Sequence, residues 1–501
     1  MAVIKYLNLH STYYDLGVFQ NHFSKIAEGE WWYLFFGHIQ PLMILWSKLY
    51  WLFPGHWGTI LILLIQAALI ALPVTWLYHS FGPLPTLAYI LYFPIWYNNL
   101  FDFHMDHLAI VFLFGFLLLA ERERIWPAIG CALLLALVKE PFSLQTAACG
   151  LYLLVTRKHL SAGILLMALG LSYFYIANHY FLPYFTITAG KGGALGGPAF
   201  SWLGENLGAV LGYILTHPVD VLAEIFSNKG KILYLCAVFG ALGFIPLVKP
   251  ALWIPALPIL GIAVLSKFEN YYGVGFHYTA GLVAPLIQAF SQGLPMARKI
   301  WTRLVLPKNW FAPLLITSLF ILHIVLSPSP LSRIFWSRNS WAYSFNTYIQ
   351  TDRDPMIRKA IETHIPANWD VIVTTQNTVN LAYLANRKYY FPFPLGVLQP
   401  YPLMQGSDRT LTGLWRFIKS GEMTTAKTEE IWADYVVLDL KRPWSLLDKG
   451  CAWRNGKCRD NGKFASRFLS TIQQTTERFD TVFEKDGFYI LKRKQLPEKG
   501  L

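Results

Sequence analysis

Between residues 57 and 327 the chain is a succession of long apolar runs separated by short polar loops, and no other feature of the sequence narrows its possible folds so far. The hydrocarbon core of a bilayer is about 30 Å thick and takes about 20 apolar residues as a helix, with a range of about 17–25. Runs on this scale fall near 57–79, 84–101, 107–120, 125–138, 141–155, 160–182, 231–248, 251–266, 278–297 and 309–327. Residues 350–501 have the composition of an ordinary soluble protein, although the chain as a whole is only 14% charged against about 25% in soluble domains. The pattern predicts a mainly α, polytopic transmembrane domain over residues 1–330, with about ten spans. A small α/β domain follows over 331–501.

The stretch 125–155 tests the span assignment. As one helix it would be about 46 Å long at 1.5 Å per residue, too long for the bilayer core. Lys139-Glu140-Pro141 interrupts it, so two short helices meeting at a polar break are expected. Two further segments are apolar but carry polar residues. Residues 39–53 contain Gln40, Pro41, Ser47 and Lys48, and residues 208–226 contain His217, Pro218 and Asp220. Both are expected to lie in the membrane interface, the first with Trp46 and Trp51 at headgroup level.

Basic loops set orientation, because Lys and Arg are retained on the cytoplasmic side. Residues 121–124 (ERER), 157–159 (RKH), Lys249 and 298–308 are such loops. Placing them in the cytoplasm puts 1–56, 102–106, 139–141, 183–230, 267–277 and 328–501 on the extracytoplasmic face. An extracytoplasmic start without a preceding span leads to the expectation that one N-terminal span is missing. The net charge of +13 comes with no Lys/Arg block, which argues against nucleic acid and for orientation and attraction to anionic lipid.

Cys131, Cys149 and Cys236 lie in apolar runs, whereas Cys451 and Cys458 bracket CAWRNGKC. In an oxidising compartment that pair is expected to form a disulfide; zinc would need further ligands, and the loop offers none. In the same domain a helix is expected at 354–364, strands at 370–375 and 434–440, a helix at 378–387, and a closing hairpin with Asp-Gly at 486–487.

The residues able to carry chemistry share the extracytoplasmic face. Asp15, in HSTYYDLGVFQ, suits either a helix N-cap or a general base at the membrane surface. Asp102, His104, Asp106 and His107 open the run at 107. Helical spacing would put Asp102 with Asp106 on one face and His104 with His107 on another. Asp102, His104 and Asp106 are the candidate ligands of a divalent metal; capping and dipole compensation by the two aspartates is the structural alternative. Lys139 and Glu140 are an ionisable pair at a membrane break, functional by default or else an ion pair that satisfies the broken helix. His38 stands before the interfacial helix. Glu269, His277 and Tyr278 belong to the loop KFENYYGVGFHY and the span after it, and Arg333 and Arg338 sit among aromatic residues suited to a phosphate headgroup. Catalytic roles are assigned to Asp15, His104, Asp106 and Glu140, and substrate binding to the others. Carboxylates, imidazoles and cations beside a bilayer suit a substrate with a lipid tail and a phosphate head.

The order of these motifs, YYDLGVFQNHFSKIAEGE, GHIQPLMILWSKLYWLFP, FDFHMDHLA, LVKEPF and FHYTAGLVAP, resembles a bacterial family of predicted membrane proteins grouped with the GT-C glycosyltransferases. The resemblance covers roughly residues 10–300, and the soluble tail looks like that of the same family. It implies a multi-pass protein of the bacterial cytoplasmic (inner) membrane that takes a sugar from a polyprenyl-phosphate donor. It also implies a carboxylate in the first external loop as base or metal partner, which maps onto Asp15, and metal or second-site groups at Asp102, His104 and Asp106. GT-C chains carry a cytoplasmic N-terminus and a span ahead of that loop, which this sequence lacks. Two other classes compete: a transporter or flippase of a lipid-linked or anionic substrate, and a non-catalytic membrane anchor for the C-terminal domain. The transporter reading would place charges near the midplane, often with internal repeats, and no repeat is present.

Overall fold

The computed structural model describes residues 1–11, 13–35, 37–53, 55–185, 199–304, 307–337, 343–367, 371–375, 388–389, 393, 396–405, 411–420, 427–441, 451–454, 457–460 and 463–494. The chain is mostly helical with a small C-terminal sheet. Every apolar run forms helix, but proline and glycine cut many of them short. Among the described residues three stretches are long and apolar enough to cross a membrane: His56–Phe81, Leu160–Phe185 and Lys308–Leu326. The run at 84–101 divides into Pro83–Leu91 and Phe93–Leu100: Tyr92 is extended (ψ 112°), which sets Pro94 in the first turn of the second helix, where its missing amide donor is not needed. Likewise 231–248 becomes Lys229–Gly240 followed by the tighter turn Ile245–Val248.

The polar break at 139–141 takes the expected form. Ile125–Ala136 ends, Lys139 is extended (φ −169°, ψ 148°), and Glu140–Val155 begins with Pro141 in its first turn. That second helix packs on Leu160–Ile176 at backbone distance. A Cβ on Gly150 would lie 2.5 Å from the Gly163 oxygen, and one on Gly170 would lie 2.5 Å from the Ser143 oxygen. Small residues permit the close approach that drives helix association in lipid. The approach fixes Glu140 at one end of the pair and Phe174 beside it.

The segment expected in the interface forms the helix Met43–Leu52, with Trp51 64% exposed. Trp46 departs from expectation. It is buried, with its ring 5.5 Å from Phe103 and 5.7 Å from His107. Five positions separate the two tryptophans, which on a helix puts them on different faces, so one faces out and the other packs inward. Residues 207–227 form Leu207–Thr216 and Pro218–Ser227, with a 90° bend between them.

In the C-terminal part, helix Arg353–His364 lies against a five-stranded sheet ordered Lys388–Tyr389, Ile372–Thr375, Tyr435–Asp439, Phe488–Arg493, Phe479–Lys485. The first three strands are parallel and the last two form an antiparallel hairpin. Asp486 (φ 51°) and Gly487 (φ 74°) make its turn, the left-handed geometry that suits a two-residue hairpin. The helix expected at 378–387 lies outside the described residues. Leu9 and Val18, from the N-terminal part, pack into the same core as Ile357, Ile361 and Phe488.

Candidate functional site

The site begins at the broken helix. Glu140 is fully buried; its Oε1 lies 2.7 Å from His38 Nδ1, and its Oε2 accepts from the Ile39 amide at 3.0 Å. The extended backbone at Lys139 turns the adjacent side chain toward Asp106, with Nζ 3.8 Å from Oδ2. That is an ion-pair separation without a hydrogen bond. Asp106 stands at the N-cap of His107–Glu121 but makes no side-chain cap bond, so its carboxylate is left to Lys139. Asp106 Oδ2 is buried with no hydrogen-bond partner among the described residues.

Asp15 is carried by a wide helical turn, Tyr13–Gly17, ahead of Val18–Ala27. Its Oδ1 lies 3.0 Å from His104 Nε2, with side chains 18% and 9% exposed. This is an ion pair when the imidazole is protonated and a hydrogen bond otherwise. A face of the His104 ring stacks on His277, centroids 3.5 Å apart. Burial holds the His277 imidazole well below the usual histidine range, and the neighbouring His104, Lys139 and His38 act in the same direction. A cleft beside these groups has a polar end formed by His38, Asp106, Lys139, Glu140, Tyr271 and Tyr278. Its walls are apolar: Phe142, Phe174, Phe200, Ile259, Ile262 and Ala263. Asp15 and His104 lie next to this lining, not on it.

The segment 102–106 does not follow the helical spacing expected from sequence, because the helix starts only at His107. Asp102 and Asp106 therefore diverge: Asp102 lies 3.1 Å from Lys5, and Asp106 faces Lys139. His107 is turned inward, its Nδ1 hydrogen-bonded to the His104 carbonyl and its ring against Trp46 and Phe103. Among the described residues no three His, Cys, Asp or Glu side chains are grouped to hold a metal ion. The set Asp102, His104, Asp106 does not fit one, since an ammonium group occupies the place beside Asp102. Glu269 is exposed on the short helix Glu269–Tyr272, and Arg333 is exposed on Arg333–Trp336. Arg338 and the side chains of Cys451 and Cys458 lie outside the described residues.

Two residues of the site carried no sequence signal that was read. Lys5 is 1% exposed. Gln66 is a lone amide in the first long apolar run, where an isolated polar group itself marks a site. It donates to the Asp102 carbonyl at 3.2 Å and accepts from the His104 amide at 3.2 Å.

The family model described as a predicted membrane protein (DUF2079) matches residues 5–408. Among solved structures, ArnT from Cupriavidus metallidurans bound to undecaprenyl phosphate is similar over 98% of this chain and 95% of its own, at 15% identity and a TM-score of 0.43. No curated protein matches.

Proposed function

This chain belongs to the DUF2079 family of predicted membrane proteins, and from that premise we propose that it is a GT-C-type membrane glycosyltransferase. It moves a sugar from a polyprenyl-phosphate donor to an extracytoplasmic acceptor. The observation that carries the reading is the pairing of Asp15 with His104 at 3.0 Å, next to a cleft with one charged end and apolar walls. A lipid-linked sugar phosphate has the same division, a charged head on an apolar tail.

In this mechanism Asp15 accepts the proton of an acceptor hydroxyl as its oxygen attacks the anomeric carbon. The new glycosidic bond forms while the bond from the anomeric carbon to the phosphate oxygen breaks. The polyprenyl phosphate departs with that electron pair, and the configuration inverts. His104 orients the base, and the stack on the buried His277 fixes the imidazole plane. Lys139 sits at ion-pair distance from Asp106 without a hydrogen bond to it, so its ammonium can face the departing phosphate and stabilise its charge. The aromatic and aliphatic cleft wall takes the first isoprene units. The multi-pass topology with an extracytoplasmic C-terminal domain is part of the same reading. It places Asp15, His38, Lys139 and His277 on one side of the bilayer.

Replacing Asp15 by Asn keeps the shape and a partner for His104 but removes the base. Transfer by the purified protein in liposomes is expected to fall by about 10²–10⁴-fold, with thermal stability little changed. Full transfer by Asp15→Asn would sink the assignment. A transporter would instead retain substrate movement across the bilayer without forming a glycoside, and the same liposomes distinguish the two.

A further inference from the structure

Lys5 is a lysine buried to 1% exposure in the six-residue helix Ala2–Leu7. An ammonium group at that depth needs partners, and it has three in one segment. Nζ donates to the carbonyls of Leu100 at 3.0 Å and Phe101 at 3.3 Å, and lies 3.1 Å from the Asp102 carboxylate. Asp102 is also the residue at which the backbone is strained, with φ +132°. A non-glycine residue there is strained and persists only where its surroundings impose it. Two elements do so from opposite sides: Lys5 holds the side chain, and Gln66 holds the backbone of Asp102 and of His104. Two residues on, His104 meets Asp15.

The same helix is tied to the C-terminal part. The Arg358 guanidinium donates to the Leu7 carbonyl. Leu9, 2% exposed, lies in the core formed by Ile357, Ile361 and Phe488, with Val18 packed against it. Leu9 and Val18 flank Asp15 in sequence, so both ends of the turn that carries the proposed base are seated on the C-terminal core.

We propose that the helix Ala2–Leu7 is a strut through which the C-terminal part sets the geometry of the Asp15–His104 pair, with Lys5 as its positioning residue. The strut rests on contacts alone; only its kinetic consequence rests on the glycosyl-transfer reading. The C-terminal part thereby acquires a role apart from the groups assigned to the reaction: it fixes one partner through Leu9 and Val18, and the other through Lys5 and Asp102.

The test uses the full-length protein in lipid nanodiscs and compares Lys5→Met, Lys5→Arg and Arg358→Ala with the unaltered chain. Backbone hydrogen–deuterium exchange is read over residues 13–18 and 100–106, and kcat and KM are measured with a polyprenyl-phosphate sugar. Lys5→Met is expected to speed exchange in 100–106 by about tenfold or more. It should lower kcat by about 10–100-fold, the scale of a misplaced reacting group, while KM stays within about twofold. Lys5→Arg, which keeps the charge, should recover most of both. Arg358→Ala should speed exchange in 13–18 and leave 435–439 protected. If Lys5→Met does not fold, the double variant Lys5→Met with Asp102→Asn removes both buried charges, and the same readings decide. Unchanged exchange in both segments, or unchanged kcat in a folded Lys5→Met protein, overturns the strut. If the unaltered protein transfers no sugar, the glycosyl-transfer reading fails on its own and exchange alone decides the strut.

Discussion

At the scale of single residues, the site is a set of buried polar groups each held by one or two contacts, so small changes should separate their roles. Glu140 accepts from a backbone amide as well as from His38. Glu140→Leu leaves the Ile39 amide unpaired, at a cost of about 1–3 kcal/mol, and Glu140→Gln should restore most of it; the unfolding midpoint in detergent measures both. Lys139→Met should lower kcat more than it raises KM, because a charge that stabilises the leaving phosphate acts in the transition state. Equal effects on both would remove Lys139 from that role. A pH dependence follows from His22, which burial pushes down to about 3. Its native state binds the neutral ring, so its stability contribution is complete above the unfolded value of about 6.5 and is lost as pH falls from there toward about 3. His22→Leu should flatten that acid limb of the thermal midpoint. Residues such as Asp15, Asp106, Lys139 and Glu140 were legible because charges next to apolar runs stand out. Lys5 and the inward face of Trp46 were not, because their partners lie far along the chain, at 100–102 for Lys5 and at Phe103 and His107 for Trp46.

At the scale of elements, hydropathy located the helices, and the proline and lysine signals located the break at 139–141. What it missed was continuity. The run at 84–101 looks like one span, yet a break at Tyr92, just ahead of Pro94, divides it into helices of nine and eight residues. The segment 102–106 looks like the first turn of a helix, yet it is irregular, with Asp102 at φ +132° and a turn at 105–106, because Lys5 and Gln66 impose a geometry that local spacing does not encode. The glycine contact between Glu140–Val155 and Leu160–Ile176 carries its own prediction. A side chain at Gly150 or Gly170 meets backbone atoms at 2.5 Å. Gly170→Val should therefore destabilise the protein by about 1–3 kcal/mol and also displace Phe174 from the cleft wall. Gly261→Val, where a Cβ has open space, is the control in the same thermal assay.

At the scale of the whole molecule, several apolar helices are short. Ile125–Ala136 has 12 residues and His107–Glu121 has 15, lengths of about 18 and 23 Å at 1.5 Å per residue against a hydrocarbon core of about 30 Å. With the multi-pass topology proposed above, a bilayer around helices this short would thin to match them, at a cost of fractions of a kcal/mol per ångström. Lipid-linked substrates would then reach the charged end of the cleft from a locally compressed membrane. Sugar transfer should accordingly be faster in vesicles of short-chain phosphatidylcholine than in long-chain ones, and a rate indifferent to chain length would show that the bilayer is not deformed there.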